Sequence, residues 1–239
     1  VADVVEAVDW AVDHRAEFNI RVINMSLGTP VTQSYRDDPL GQAVERAVKA
    51  GVVVVASAGN RGQTADGKTV LGIVTSPGNS PFVITVGAVR ANGTVNHADD
   101  TLAPWSSRGP TQIDFVVKPD LAAPGSLIES AGVEGSTLAL TRPDRMTGAG
   151  RTASMTLSGT SQAAAVVSGA VALLIDANPR LTPLGVRLAL QASADFMPEA
   201  GLTGAGAGNL SLTSALRNGQ VLPARTTADL FPASWGVSA

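Results

Sequence analysis

Apolar residues recur at helical spacing at Val1, Val4, Val5, Val8 and Val12, which predicts a helix over about 2–17. Ile20–Ser26 then reads as a strand. A second helical stripe, Leu40, Ala43, Val44, Ala47 and Val48, is stopped by Gly51 in the C-cap role. Val52–Ala56 is a continuous apolar, β-branched run of the kind buried on both faces of a parallel sheet, and Phe82–Val86 is another. Ala163–Ile175 is apolar nearly all round and belongs inside the domain. A further helix is expected over about 182–193, after Asn178-Pro179. Strands alternating with helices predict an α/β fold: a mostly parallel sheet with helices on both faces.

At 239 residues the chain is long enough for one sizeable core. A net charge of −3 with no basic face argues against a nucleic-acid partner. The longest apolar stretch is too short for a membrane span and is interrupted by Ser168 and Gly169, so no membrane partner is expected. The absence of cysteine excludes a disulfide framework and thiolate chemistry without identifying the compartment. After Asn218-Gly219 the periodicity is lost. Residues 1–218 are therefore read as a catalytic domain, and 219–239 as an extension or linker.

Candidate chemistry centres on Leu157-Ser158-Gly159-Thr160-Ser161-Gln162, where a Gly-Thr turn meets the start of a buried helix. A serine hydroxyl is a poor nucleophile until something removes its proton and something stabilises the resulting oxyanion. A helix N-terminus serves the second need with unpaired N–H groups. Read alone, Thr160 or Ser161 would merely cap the helix. Three companion segments change that reading: Ile23-Asn24-Met25-Ser26-Leu27-Gly28, Val52–Asn60, and Trp105–Thr111 leading to Lys118–Gly125. Two of them end in small residues at the carboxyl ends of predicted strands, where ligands bind in open α/β sheets.

In this order and spacing the four segments resemble the subtilisin-like serine proteases, the subtilases, from Val1 to about Ala215. The resemblance implies a subtilisin-like fold and a serine endopeptidase acting on polypeptides. It gives Ser161 the role of nucleophile. Asn60 becomes the side-chain donor of an oxyanion hole, beside the backbone N–H of Ser161. Ser26, Leu27 and Gly28 would pair with the substrate backbone and form one wall of its specificity pocket; Ser57, Ala58 and Gly59 would form the other. Gln162 and Ala165 stand where the family usually has Met and Pro, and Thr75-Ser76-Pro77-Gly78 replaces a more usual glycine-rich pocket base. No acidic residue marks the walls, so large apolar substrate side chains are expected. The chemistry implied needs no cofactor. Structural calcium is common in the family, yet no metal ligand set falls on named residues here.

Subtilase triads run Asp, His, Ser along the chain. The Asp and His segments should precede Ile23-Asn24-Met25-Ser26, so the N-terminal part of the fold is expected to be missing from this chain. Its two histidines, His14 and His97, lie in polar settings and read as solvated surface residues. His97 with Asp99 and Asp100 matches no strong metal spacing. Two functional readings follow. One is the nucleophile-bearing portion of a protease, inactive alone, whose partner is an upstream fragment supplying Asp and His and whose setting is extracellular. The alternative is a non-catalytic peptide-binding module or remnant.

Overall fold

The chain opens with helix α1 (Ala2–Asp13), strand β1 (Val22–Met25), helix α2 (Pro39–Lys49) and strand β2 (Val53–Ser57) in the computed structural model, which describes residues 1–221. Strands β3 (Ile84–Arg90), β4 (Thr101–Leu102) and β5 (Leu121–Pro124) follow. A hairpin layer comes next: β6 (Ile128–Ala131), α3 (Thr137–Thr141), β7 (Met146–Thr147) and β8 (Ser154–Leu157). The described chain closes with helices α4 (Thr160–Ala177), α5 (Pro183–Ser193), α6 (Gly201–Ala205) and α7 (Leu212–Val221).

The main sheet is parallel through β1, β2, β3 and β5, with Met25 level with Ala56, Val55 with Ile84 and Val86 with Leu121. The short β4 pairs antiparallel with the end of β3, and β6, β8 and β7 form a separate antiparallel sheet. Successive side chains of a strand point to opposite faces. Val53 and Val55 accordingly enter one core with Val86 and Leu121, under Val167, Val171 and Leu174 of α4 and Leu190 of α5. Val52, Val54 and Ala56 enter the other, with Val8 of α1 and Leu40, Val44 and Ala47 of α2. Burying each such aliphatic side chain stabilises the fold by roughly 1.5–3 kcal/mol. Helices thus cover both faces of a mostly parallel sheet, as the sequence pattern predicts.

Helix α2 starts where Asp38 accepts from Leu40 N (3.1 Å), with Pro39 in its first turn, and ends before Gly51, whose φ is +90°. Helix α5 is capped by Thr182, which accepts from Gly185 N (3.2 Å). Several features differ from expectation, among them β3, which starts at Ile84 rather than Phe82 and runs on to Arg90. Helix α1 stops at Asp13 because its core-facing stripe ends at Val12. Strand β1 is only four residues, narrower than Ile20–Ser26. Helix α4 buries one face rather than all of its surface, leaving Ala165, Gly169, Ala172 and Leu173 exposed. Helix α7 runs through Gly219 to Val221, because a Cβ at Gly219 would stand 2.8 Å from Leu174 Cδ2. Glycine there permits close helix packing rather than ending the helix. The rest of the expected extension lies outside the described residues. By length and composition α4 could cross a membrane; its inner face is instead buried on the sheet.

A buried charge cluster locks β3, β5 and α5 together. Lys118 Nζ donates to Asp120 Oδ2 (2.7 Å) and Val83 O (2.8 Å). Asp120 also accepts from Thr85 N (2.7 Å) and pairs with Arg187 (3.1 Å), which donates to Pro81 O (2.6 Å). Burial pushes the Lys118 ammonium down to about 8. The Asp120 carboxyl feels an opposing cost of burial, yet the two cations and its hydrogen bonds hold it below the usual carboxylate range.

Candidate active site

Ser161 is the second residue of α4, after Gly159 at the N-cap. Its hydroxyl donates to the Ser26 carbonyl at the end of β1 (3.1 Å), and the Ser26 hydroxyl donates back to the Ser161 carbonyl (2.7 Å). Asn24 Nδ2 donates to Ser26 Oγ (2.9 Å), and Asn24 Oδ1 accepts from Ser168 two turns further along α4 (3.0 Å). This relay fixes the start of α4 against the sheet. The preceding turn is held by Gly159 N donating to Gly125 O (2.8 Å). Gly125 must be glycine, since a Cβ would lie 2.8 Å from both Gly159 O and Ala88 Cβ.

Neither Thr160 nor Ser161 caps the helix with its side chain. Thr160, fully buried, donates through its hydroxyl to Asn60 Oδ1 (3.0 Å), and its backbone N–H donates to the same oxygen (2.9 Å). Its hydroxyl oxygen also accepts from Gly59 N (3.1 Å). Two donors on Oδ1 fix which way the Asn60 amide faces. Nδ2 is then turned to the open side, 3.4 Å from where a Gly159 Cβ would be. The Ser161 N–H belongs to the first turn of α4 and has no acceptor on its own helix. Asn60 Nδ2 and Ser161 N, both without an acceptor among the described residues, thus lie 3.4 and 3.7 Å from that same point at the start of α4. Gly-Thr-Ser is legible in the sequence as a helix start, but the Thr160–Asn60 contact joins residues 100 positions apart and carries no local signal.

The six residues that the resemblance makes pocket walls sit at the ends of the paired strands β1 and β2. Ser26, Leu27 and Gly28 are exposed beyond β1; Ser57 and Ala58 are buried at the end of β2, and Gly59 is half-buried. Ser57 Oγ ties the walls by donating to Leu27 O (3.3 Å). Gly28 is exposed, with neither backbone group engaged among the described residues. The segment Thr75–Ser76 crosses between the walls: Thr75 N donates to Ala58 O (3.1 Å), and Thr29 and Ser76 exchange backbone hydrogen bonds (2.9 and 3.0 Å).

On the far side of Ser161 lies a cleft of about 470 Å³ bordered by Ser26, Ile128, Leu138, Met155 and Val166. The titratable side chain lining it, Glu129, is engaged by Ser154 on β8. His14 stacks on Trp10 with ring centroids 4.2 Å apart, and His97 Nδ1 lies 2.7 Å from Asp195. Among the described residues no histidine reaches Ser161. Asp99 is held by Thr94 (2.8 Å) and Asp100 by Asn209, so these carboxylates and His97 turn to separate partners. Among the described residues no cluster of three or more His, Asp or Glu side chains is arranged to hold a metal.

Residues 1–222 match the Peptidase S8 model, the subtilase family. The serine protease AprX of Bacillus subtilis (strain 168) is 39% identical over 202 residues, spanning 82% of this chain and 43% of that protein. Subtilisin E of the same organism is 31% identical over 194 residues, 81% of this chain and 40% of that protein. Among solved structures, fervidolysin from Fervidobacterium pennivorans, a keratinolytic enzyme related to subtilisin, is 30% identical with a TM-score of 0.66, over 93% of this chain and 29% of that one. The prenylagaramide maturation protease PagA shares the fold with a TM-score of 0.67 at 24% identity, over 91% of this chain and 67% of that one. The chain spans about two fifths of the length of the curated relatives it matches. With the family match covering nearly all of it, and a serine at a helix N-terminus beside two small-residue strand ends, the chain belongs to the subtilase family.

Proposed function

We propose that this chain is the nucleophile-bearing portion of a serine endopeptidase. One observation carries the reading: the Ser161 hydroxyl, its own N–H and the Asn60 amide converge at the start of α4, beside the exposed Gly28. An extended substrate pairs along Ser26–Gly28, gaining main-chain hydrogen bonds as an added strand. Ser161 Oγ forms a bond to the peptide carbonyl carbon as a base takes its proton. The carbonyl oxygen becomes an oxyanion, held by Asn60 Nδ2 and Ser161 N. The C–N bond then breaks, the base returns the proton to the leaving amine, and water hydrolyses the acyl-enzyme.

The base is a histidine oriented by an aspartate, both supplied by a segment upstream of this chain in the protease. The 470 Å³ cleft beside Ser161 leaves an imidazole room to reach Oγ. An extracellular setting and structural calcium are part of the same family-based reading. The intact mass and N-terminal sequence of the protein from its native source test it first. We expect a longer chain with Asp and His motifs that cleaves peptides and loses cleavage on Ser161→Ala. The chain alone should turn over negligibly and regain activity when mixed with the upstream segment. A second reading, a non-catalytic peptide-binding module, is favoured by the engagement of His14 with Trp10 and of His97 with Asp195. Peptide binding without turnover by the native protein would select it.

A further inference from the structure

The gap between the two strand ends is crossed by the Thr75–Ser76 segment. Thr75 is bonded through its backbone N–H to Ala58 on one wall (3.1 Å), and its neighbour Ser76 pairs with Thr29, next to Gly28 on the other. Its side chain is thereby aimed into the gap. A Cβ placed on Gly28 would overlap the Thr75 hydroxyl, and one placed on Gly59 would lie 3.2 Å from Thr75 Cγ2. The same Gly59 position is 2.9 Å from Ser107 Oγ. Both walls thus stand close to Thr75, which is itself half-buried. Below it the walls are already joined by the Ser57–Leu27 hydrogen bond.

We infer that Thr75 truncates the specificity pocket, so that the enzyme selects a small side chain, alanine or serine, on the substrate residue whose carbonyl Ser161 attacks. This rests on the peptidase reading above and runs against the large apolar side chains expected from sequence. A ring or a branched aliphatic chain entering between Gly28 and Gly59 would meet the Thr75 methyl and hydroxyl. Close-packed atoms do not yield such space without displacing backbone. Here the backbone is pinned to both walls. The Thr75 hydroxyl also reaches Ala58 O (3.5 Å), which ties the side chain itself to that wall.

The test uses the native protein and peptides differing only at that residue: Ala, Ser, Leu or Phe. We expect kcat/KM for Ala to exceed that for Phe by at least tenfold. Thr75→Gly should raise the Phe-to-Ala ratio at least tenfold, and Thr75→Ser, which removes only the methyl, should raise it less. A preference for Phe or Leu in the wild type, or a ratio unmoved by Thr75→Gly, overturns the inference. If no peptide is cleaved, the peptidase reading fails by itself. Binding of peptides ending in Ala or Phe to the Ser161→Ala protein then decides the pocket: tighter binding of Ala, reversed by Thr75→Gly, supports it, and equal binding overturns it.

Discussion

Ser161 and Ser26 exchange hydrogen bonds, each hydroxyl donating to the other residue's carbonyl at 3.1 and 2.7 Å. The proposed nucleophile is thus held by the strand proposed to receive the substrate. Its proton rests on a backbone oxygen that cannot remove it. Ser26→Ala deletes both the donor to the Ser161 carbonyl and the acceptor of Asn24 Nδ2, and leaves the bond from the Ser161 hydroxyl. We expect a loss of about 1–3 kcal/mol in unfolding free energy, the size of two hydrogen bonds. Denaturant unfolding of the two proteins would read it.

Asn60 has one oxygen held by Thr160 and one nitrogen free. Asn60→Ala in the active protease should lower kcat by about 10²–10³, the cost known for removing such a donor from subtilisin, with little change in KM. A change confined to KM would instead assign Asn60 to substrate binding.

Thr160 is a positioning residue, since it acts through Asn60 and Gly59. Thr160→Val keeps the shape but leaves the Gly59 N–H without an acceptor. The expected cost is about 1–3 kcal/mol of stability together with a fall in kcat. Thr160→Ser, which restores the hydroxyl, should recover both; recovery of stability alone would reduce Thr160 to a packing role.

The buried Lys118 titrates at about 8 in the folded protein against its ordinary 10.5. Its folded value is the lower, so between these values the unfolded chain binds more protons and stability rises with pH. Asp120 is held below its ordinary value, so its contribution is present at neutral pH and lost in acid, as pH falls through the carboxylate range. The unfolding free energy of the wild type relative to Lys118→Met should therefore climb between pH 8 and 10.5 and stay flat from pH 6 to 7. A flat difference throughout would show that burial does not depress Lys118. Asp120→Asn, which strands a buried ammonium, should cost roughly 3–5 kcal/mol at pH 7.

Helices α2 and α5 are legible in the sequence because an apolar stripe and its stop or start signal agree, as with Leu40 to Val48 before Gly51. β2 is legible because a run of valines suits a strand covered on both faces. The small residues at 26–28 and 57–59 mark strand ends, and the structure puts them side by side. Residues whose partners lie far away in sequence are not legible. Gly219 reads as a helix stop until Leu174 is seen against it, and the closeness of Thr75 to both Gly28 and Gly59 appears only when the strand ends come together. The burial of Lys118 and Asp120 with Arg187 becomes apparent only in three dimensions.

The bonds that define the site span long stretches of chain. Ser26 lies 135 positions from Ser161, and Asn60 lies 100 from Thr160. Contacts of such separation close large loops and form late in folding. During synthesis at about 5–20 residues per second, Ser161 follows Asn60 by roughly 5–20 s. Under the proposed roles, the oxyanion donor exists throughout that interval without its nucleophile, so the nascent chain carries no assembled centre until α4 has been made.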